Sequence, residues 1–177
     1  KELTAPEGYL LSEEELLFTI LEDKPGEIVD LTETPVRDQV IRGGFALSKW
    51  DLELNEPGKS QGDATLEGAE FTLTNESEHS VLVNGRKIAP GEVIDTFRTD
   101  AEGKIETAKD LLPYGSYKLE ETCPPTGYTR DAENLSRIFK VRKNGKVYHF
   151  DEENSAAKNR VSRFDITLVK FKDTLSS

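Results

Sequence analysis

Cysteine is nearly missing: Cys123 is alone in 177 residues, which excludes a disulfide within the chain. Methionine is missing altogether, and the chain opens in mid-pattern with Lys1-Glu2-Leu3, so it reads as a piece of something longer. No stretch approaches the roughly 20 apolar residues of a membrane-spanning helix, so membrane insertion is not expected. Positive charge is scarce. Twenty-three Lys and Arg face 34 Asp and Glu, giving a net charge of −11 and a pI near 4.8. Such a surface repels nucleic acid and anionic lipid, and neither is an expected partner. The two histidines, His79 and His149, have no metal-ligand spacing, and the acidic run Asp151-Glu152-Glu153 sits in no calcium-loop pattern. Both read as solvated surface, with no metal and no cofactor expected. No Ser/His/Asp set or phosphate loop is present, so the sequence does not point to enzymatic turnover.

What the chain does have is a repeat. Lys1-Glu2-Leu3-Thr4-Ala5-Pro6-Glu7-Gly8-Tyr9 returns as Glu120-Glu121-Thr122-Cys123-Pro124-Pro125-Thr126-Gly127-Tyr128, with Glu2 and Glu121, Gly8 and Gly127, and Tyr9 and Tyr128 each 119 apart. The segment Phe45–Asp51 returns at Ile166–Asp173, where Lys49 and Lys170 are 121 apart. Asp38 and Asn159 are also 121 apart. Three echoes with one period imply a tandem array of modules of about 120 residues. The expected division is the tail of one module over 1–42, a complete module over 43–162 and the first strand of a third over 163–177.

Period-2 alternation dominates. Phe45, Leu47 and Lys49 alternate with Ala46, Ser48 and Trp50, and Ala69, Phe71 and Leu73 with Glu70, Thr72 and Thr74. Tyr117, Leu119 and Glu121 alternate with Lys118 and Glu120, and Phe139 and Val141 with Lys140 and Arg142. Each pattern predicts a strand with one face in and one out. Turn signals at Asn84-Gly85, Pro90-Gly91, Asp100–Gly103, Tyr114-Gly115 and Asn144-Gly145 separate the runs. Strands are also expected around Phe18 and Ile20 and at Ile28 and Val29. The one helix candidate is Ser12–Leu17. Many short strands with frequent turns indicate an all-β sandwich.

The alternation puts three polar side chains on inward faces: Lys49, Glu121 and Asn159. Unpaired buried charge is costly, so these groups should meet. Periodicity leaves open a buried Lys–Glu ion pair with Asn hydrogen-bonded beside it, and snorkelling of Lys49 at a strand end.

As a set, the motifs resemble the collagen-adhesin B-repeat domain (Cna-B, SpaA-type, prealbumin-like) of Gram-positive surface adhesins and pilins. They are Leu47-Ser48-Lys49-Trp50-Asp51, Leu66-Glu67-Gly68-Ala69-Glu70-Phe71, Thr99-Asp100-Ala101-Glu102-Gly103, Leu112-Pro113-Tyr114-Gly115-Ser116-Tyr117 with Glu120-Glu121, and Pro125-Thr126-Gly127-Tyr128. The resemblance implies a prealbumin/Ig-like β-sandwich. It also implies an intramolecular isopeptide bond with Lys49 as nucleophile, Asn159 as electrophile and Glu121 as acid and proton shuttle. This would be single-turnover self-crosslinking and not enzyme catalysis. Burial would favour a neutral amine and a protonated carboxyl, the forms that such a reaction needs. Glu2 and Asp38 would belong to an upstream site, and Lys170 to a downstream one. Cys123 reads as a bystander thiol.

The implied role is a stalk module of a cell-wall-anchored extracellular protein, whose partners are neighbouring modules of the same chain. The alternative is an adhesin module binding host extracellular matrix or glycan, with the segment Asn75–Ile94 as its candidate edge.

Overall fold

The computed structural model describes residues 2–15, 17–19, 26, 28, 37–130 and 136–170. Among these residues the regular elements are all strands. They are β1 (Tyr9–Leu10), β2 (Gln39–Val40), β3 (Arg42–Asp51), β4 (Glu70–Asn75), β5 (Val81–Val83), β6 (Arg86–Ile88) and β7 (Val93–Arg98). There follow β8 (Lys104–Glu106), β9 (Leu112–Pro113), β10 (Gly115–Cys123), β11 (Tyr128–Thr129), β12 (Ser136–Val141), β13 (Lys146–Phe150) and β14 (Ala157–Val161).

One antiparallel sheet has the order β12-β10-β4-β7, and the other β11-β14-β3-β13, with β8 and β9 also paired to β3. The second sheet is mixed. Strands β13 and β14 both run parallel to β3, pairing in turn with its residues 43–47 and 49–51. The first and last strands of the sandwich are therefore parallel neighbours.

The inward residues of the two sheets form one core, from Phe45 and Leu47 through Phe71, Leu73 and Ile105 to Tyr117, Leu119 and Val141. Phe139 is its aromatic centre, with Phe45, Tyr117, Tyr148 and Phe150 all within 6.0 Å between ring centroids. Tyr117 reaches its hydroxyl to Pro113 O, so the buried phenol is satisfied. The hairpin β5–β6 turns at Asn84 and Gly85, with φ of 49° and 76°, the left-handed pair that a type I′ turn requires.

Strand β3 departs from the expected alternation. Ala46, Ser48 and Trp50 are buried as well as Phe45, Leu47 and Lys49. Its second face is covered: Gly44 packs against the Ala108 carbonyl, and Trp50 forms a bridge with Pro57 and lies under the Lys158 ammonium. A central strand with parallel neighbours is commonly buried on both sides, a burial its polar-looking Ser48 does not announce.

The flanks differ from expectation too. The described residues of Ser12–Leu17 form no helix, and Ser12 Oγ instead accepts the Glu14 amide in a local turn. Leu17 is exposed, so the segment gains no buried apolar face among the described residues to support so short a helix. Phe18 and Ile28 are exposed and outside any strand; Ile20 and Val29 lie outside the described residues. Residues 163–170 likewise form no strand, with Phe164, Ile166 and Leu168 exposed. A strand needs a neighbour for its backbone groups, and the described residues supply none there.

Near Tyr9 and Ile41 the backbone pattern seen around Tyr128 and Ser162 recurs. Tyr9 N donates to Pro6 O at 3.1 Å and Ile41 N to Gly8 O at 2.8 Å, while Tyr128 N donates to Pro125 O at 3.1 Å and Ser162 N to Gly127 O at 2.8 Å. Tyr9 pairs with Val40 as Tyr128 pairs with Val161. The segment docks on the sandwich through Tyr114, whose hydroxyl donates to Glu7 and whose ring meets Gly8.

Leu73→Ala, at a fully buried position on β4, should lower unfolding stability by about 2–5 kcal/mol. Ile138→Ala, on the exposed face of β12, should change it by less than about 0.5 kcal/mol. Urea titration followed by the fluorescence of Trp50, the single tryptophan, measures both.

Candidate functional site

Lys49, Glu121 and Asn159 meet inside the core, none more than 1% exposed. Each is set there by its strand. Lys49 is on β3, level with Ala157 of β14. Its amide donates to Gly103 O at 2.7 Å, from a turn that Asp100 closes by accepting the Glu102 and Lys104 amides. Gly103 has φ of 76°, and a Cβ there would meet Lys49 O at 2.9 Å, so the close approach needs glycine.

Glu121 is the last inward residue of β10. The β10–β4 ladder slips between Glu121 and Cys123, and this bulge leaves Cys123 exposed as a free thiol. Asn159 stands opposite Asp51 on the parallel β14, one step along the ladder from Lys49.

Glu121 Oε1 is the meeting point. It lies 3.4 Å from Lys49 Nζ and accepts a hydrogen bond from Asn159 Nδ2 at 2.8 Å. Burial raises the Glu121 pKa above its ordinary value, and the opposing charge of Lys49 and the hydrogen bonds from Asn159 and Lys49 do not cancel that effect. The Asn159 carboxamide is turned with its nitrogen, not its oxygen, toward Glu121; Oδ1 is buried and accepts no hydrogen bond among the described residues. One carboxyl oxygen thus touches both an amine and an amide nitrogen, an arrangement that can relay a proton between them.

The flanking candidates are not assembled. Glu2 accepts the Ser12 amide, Asp38 is half-buried with Oδ1 unpartnered among the described residues, and Lys170 is exposed. His79 and His149 are exposed as well, and the described residues contain no group of three His, Cys, Asp or Glu placed to hold a metal.

Three residues beside the site escape a reading by periodicity. Asp51 is fully buried and binds Tyr128, and Arg137 holds the carbonyls of Ser155 and Ala156 at the entry to β14. The repeated Gly-Tyr pair marked Tyr128, but nothing in the alternation tied it to Asp51.

The family of prealbumin-like fold domains called SpaA matches residues 53–155, more than half of the chain. The chain belongs to the SpaA family. No curated protein matches it in sequence. Among solved structures, the SpaA-type chain is similar to the Bacillus anthracis TIE protein, 24% identical with a TM-score of 0.61, over 91% of this chain and 24% of that one. It is also similar to GBS52, the minor pilin of Streptococcus agalactiae, 19% identical with a TM-score of 0.45, over 75% of this chain and 51% of that one. The chain therefore spans about a quarter of the first protein and about half of the second. At 24% identity the likeness to the first is one of fold alone, in keeping with the prealbumin-like domain of the family.

The raised Glu121 pKa carries a pH dependence that is visible once the lysine is gone. In Lys49→Ala, Glu121 stays buried without its countercharge, so its folded pKa remains above the ordinary 4.5. A raised carboxyl contributes stability that is complete below the unfolded value and lost as pH rises through the folded one. Lys49→Ala should therefore lose stability from about pH 4.5 upward, by at most about 1.4 kcal/mol per pH unit, relative to Lys49→Ala/Glu121→Gln. Melting temperatures of the two variants between pH 4 and 8 check this.

Proposed function

We propose that the chain is a piece of a structural stalk from a surface adhesin or pilin, whose SpaA-type module over residues 43–162 ties its first and last strands together by a Lys49–Asn159 isopeptide bond. The carrying observation is the buried contact of Lys49, Glu121 and Asn159 at the parallel junction of β3 and β14. A proton passed from Lys49 to Glu121 removes both charges from the core. The neutral amine then attacks Asn159 Cγ, the Cγ–Nδ2 bond breaks, and Nδ2 leaves as ammonia with a proton relayed by Glu121 Oε1. Half a turn of the carboxamide would instead offer Oδ1 to the protonated carboxyl, which would polarise it. Either route forms one amide, releases one ammonia and needs no metal or co-reactant. Amine and carboxamide are both held on one carboxyl oxygen, and effective molarities of about 10⁵–10⁸ M for well-placed groups make a slow reaction feasible.

The function is mechanical, at the extracellular, cell-wall-associated surface of a Gram-positive bacterium. Tension enters at the start of β3 and leaves at the end of β14, so parallel neighbours would shear apart unless joined. Glu2 with Asp38 would serve an upstream module in the same way, and Lys170 a downstream one. Binding to host matrix through residues 75–94 draws less support: Val81, Val83, Ile88 and Ile94 of that segment are buried, leaving Leu82 and Val93 as its exposed large aliphatics.

A second Lys–Asn–Glu set gives an internal comparison. Lys158 Nζ donates to Asn55 Oδ1 at 2.5 Å, and Asn55 Nδ2 to Glu153 Oε1 at 2.7 Å. Lys158 and Asn55 are only half-buried and Glu153 is exposed, so water still supports the charges and the set should stay unreacted.

The intact mass of the folded chain should fall short of the sequence mass by one ammonia, not two. Glu121→Ala and Lys49→Ala should fold and keep the full mass. Each should lose on the order of 4–5 kcal/mol of stability, the entropic value of closing a loop of about 110 residues, less any strain. A folded wild-type chain of full mass would leave a non-covalent buried triad in place of the crosslink.

A further inference from the structure

The order β11-β14-β3 sets the last strand between two neighbours, and one side-chain hydrogen bond passes across it. Tyr128 on β11 donates its hydroxyl to Asp51 Oδ2 on β3 at 2.9 Å. Asp51 stands opposite Asn159 in one ladder, and Tyr128 opposite Val161 in the other. Opposed residues turn their side chains to the same face, so the bond runs along the inner face over the stretch that carries Asn159. The backbone closes the same bracket: Leu52 N donates to Asn159 O at 2.9 Å, and Ser162 N to Gly127 O at 2.8 Å.

Asp51 is built to anchor such a strap. It is fully buried, and Oδ1 accepts the Glu53 and Leu54 amides at 2.7 and 3.0 Å. Oδ2 accepts Gln61 Nε2 at 2.9 Å in addition to Tyr128. Burial opposes its charge, but these donors together hold its carboxyl below the ordinary range, so the acceptor stays ionised and its hydrogen bonds are of the strong, charge-assisted kind. Neither Asp51 nor Tyr128 hydrogen-bonds the side chain of Glu121 or Asn159. Their shared contact bears on the position of β14, and Tyr128→Phe, which leaves the Asp51 carboxylate in place, isolates that effect.

We propose that Asp51 and Tyr128 are positioning residues for the crosslink, a strap that keeps the Asn159 carboxamide within reach of Lys49 while β14 is held by only five residues of strand. The inference rests on the crosslinking reading above. Reaction rate depends steeply on such placement, and a shift of about 1 Å can cost about a hundredfold.

The test follows the full chain during cell-free translation at 25 °C, with intact mass read at intervals as ammonia is lost. Tyr128→Phe removes one hydroxyl and keeps the ring; Asp51→Asn removes the charge. Both should convert at least about tenfold more slowly than wild type. The structural share is measured in the Glu121→Ala background, where no bond can form, as the melting temperature with and without Tyr128→Phe. The strap predicts slow conversion even where Tyr128→Phe/Glu121→Ala melts far above 25 °C. Conversion of Tyr128→Phe at the wild-type rate overturns the proposal. So does a slow rate fully explained by melting near 25 °C. If Asp51→Asn does not fold, Tyr128→Phe decides alone. A wild-type chain that never loses ammonia overturns the crosslink itself and the positioning role with it, a result distinct from equal rates in both proteins.

Discussion

The parallel pairing of β3 with β14 is the constraint from which the rest follows. It brings the two ends of the sandwich side by side and carries Lys49 and Asn159 inward on the same face. A lysine in that position is fully buried, so some partner must meet its charge; Glu121 does so from the opposite sheet, at the last inward step of β10 before the bulge. Burying three polar groups at the centre of a small core costs stability unless they satisfy one another. Here Glu121 Oε1 meets both Lys49 and Asn159, and the crosslink we propose would remove the buried charges altogether.

Several features that look unrelated serve this junction. The Asp100 turn and Gly103 fix the backbone of Lys49 from one side. Arg137 binds the Ser155 and Ala156 carbonyls, steering the chain into β14, and the covered second face of β3 keeps solvent from the site. A force applied along the chain would load β3 and β14 in shear, the geometry in which a covalent tie between them has the greatest effect.

Much of this was legible in the sequence because the core obeys period 2. Glu121 could be placed inward from Tyr117 and Leu119, and Asn159 from Ala157 and Val161, without any knowledge of pairing. The Asn84-Gly85 and Asp100–Gly103 turns carried their own chemistry. What was illegible depended on contacts distant in sequence. The second buried face of β3 comes from segments around Ala108, Pro57 and Lys158 that no local pattern connects. Cys123 breaks its strand's alternation because of a bulge, and the Asp51–Tyr128 bond joins residues 77 apart across an intervening strand. The strands expected at Phe18 and over 163–177 do not form among the described residues, because apolar alternation alone supplies no partner for the backbone.

Single-molecule stretching of the chain from its two termini tests the central claim most directly. With Lys49 joined to Asn159, force bypasses everything between them, and no extension should be released from that segment at any force short of covalent rupture. Without the bond, unfolding would release about 110 residues, on the order of 400 Å of contour at about 3.6 Å per residue. A step of that length in the wild-type chain would contradict the account.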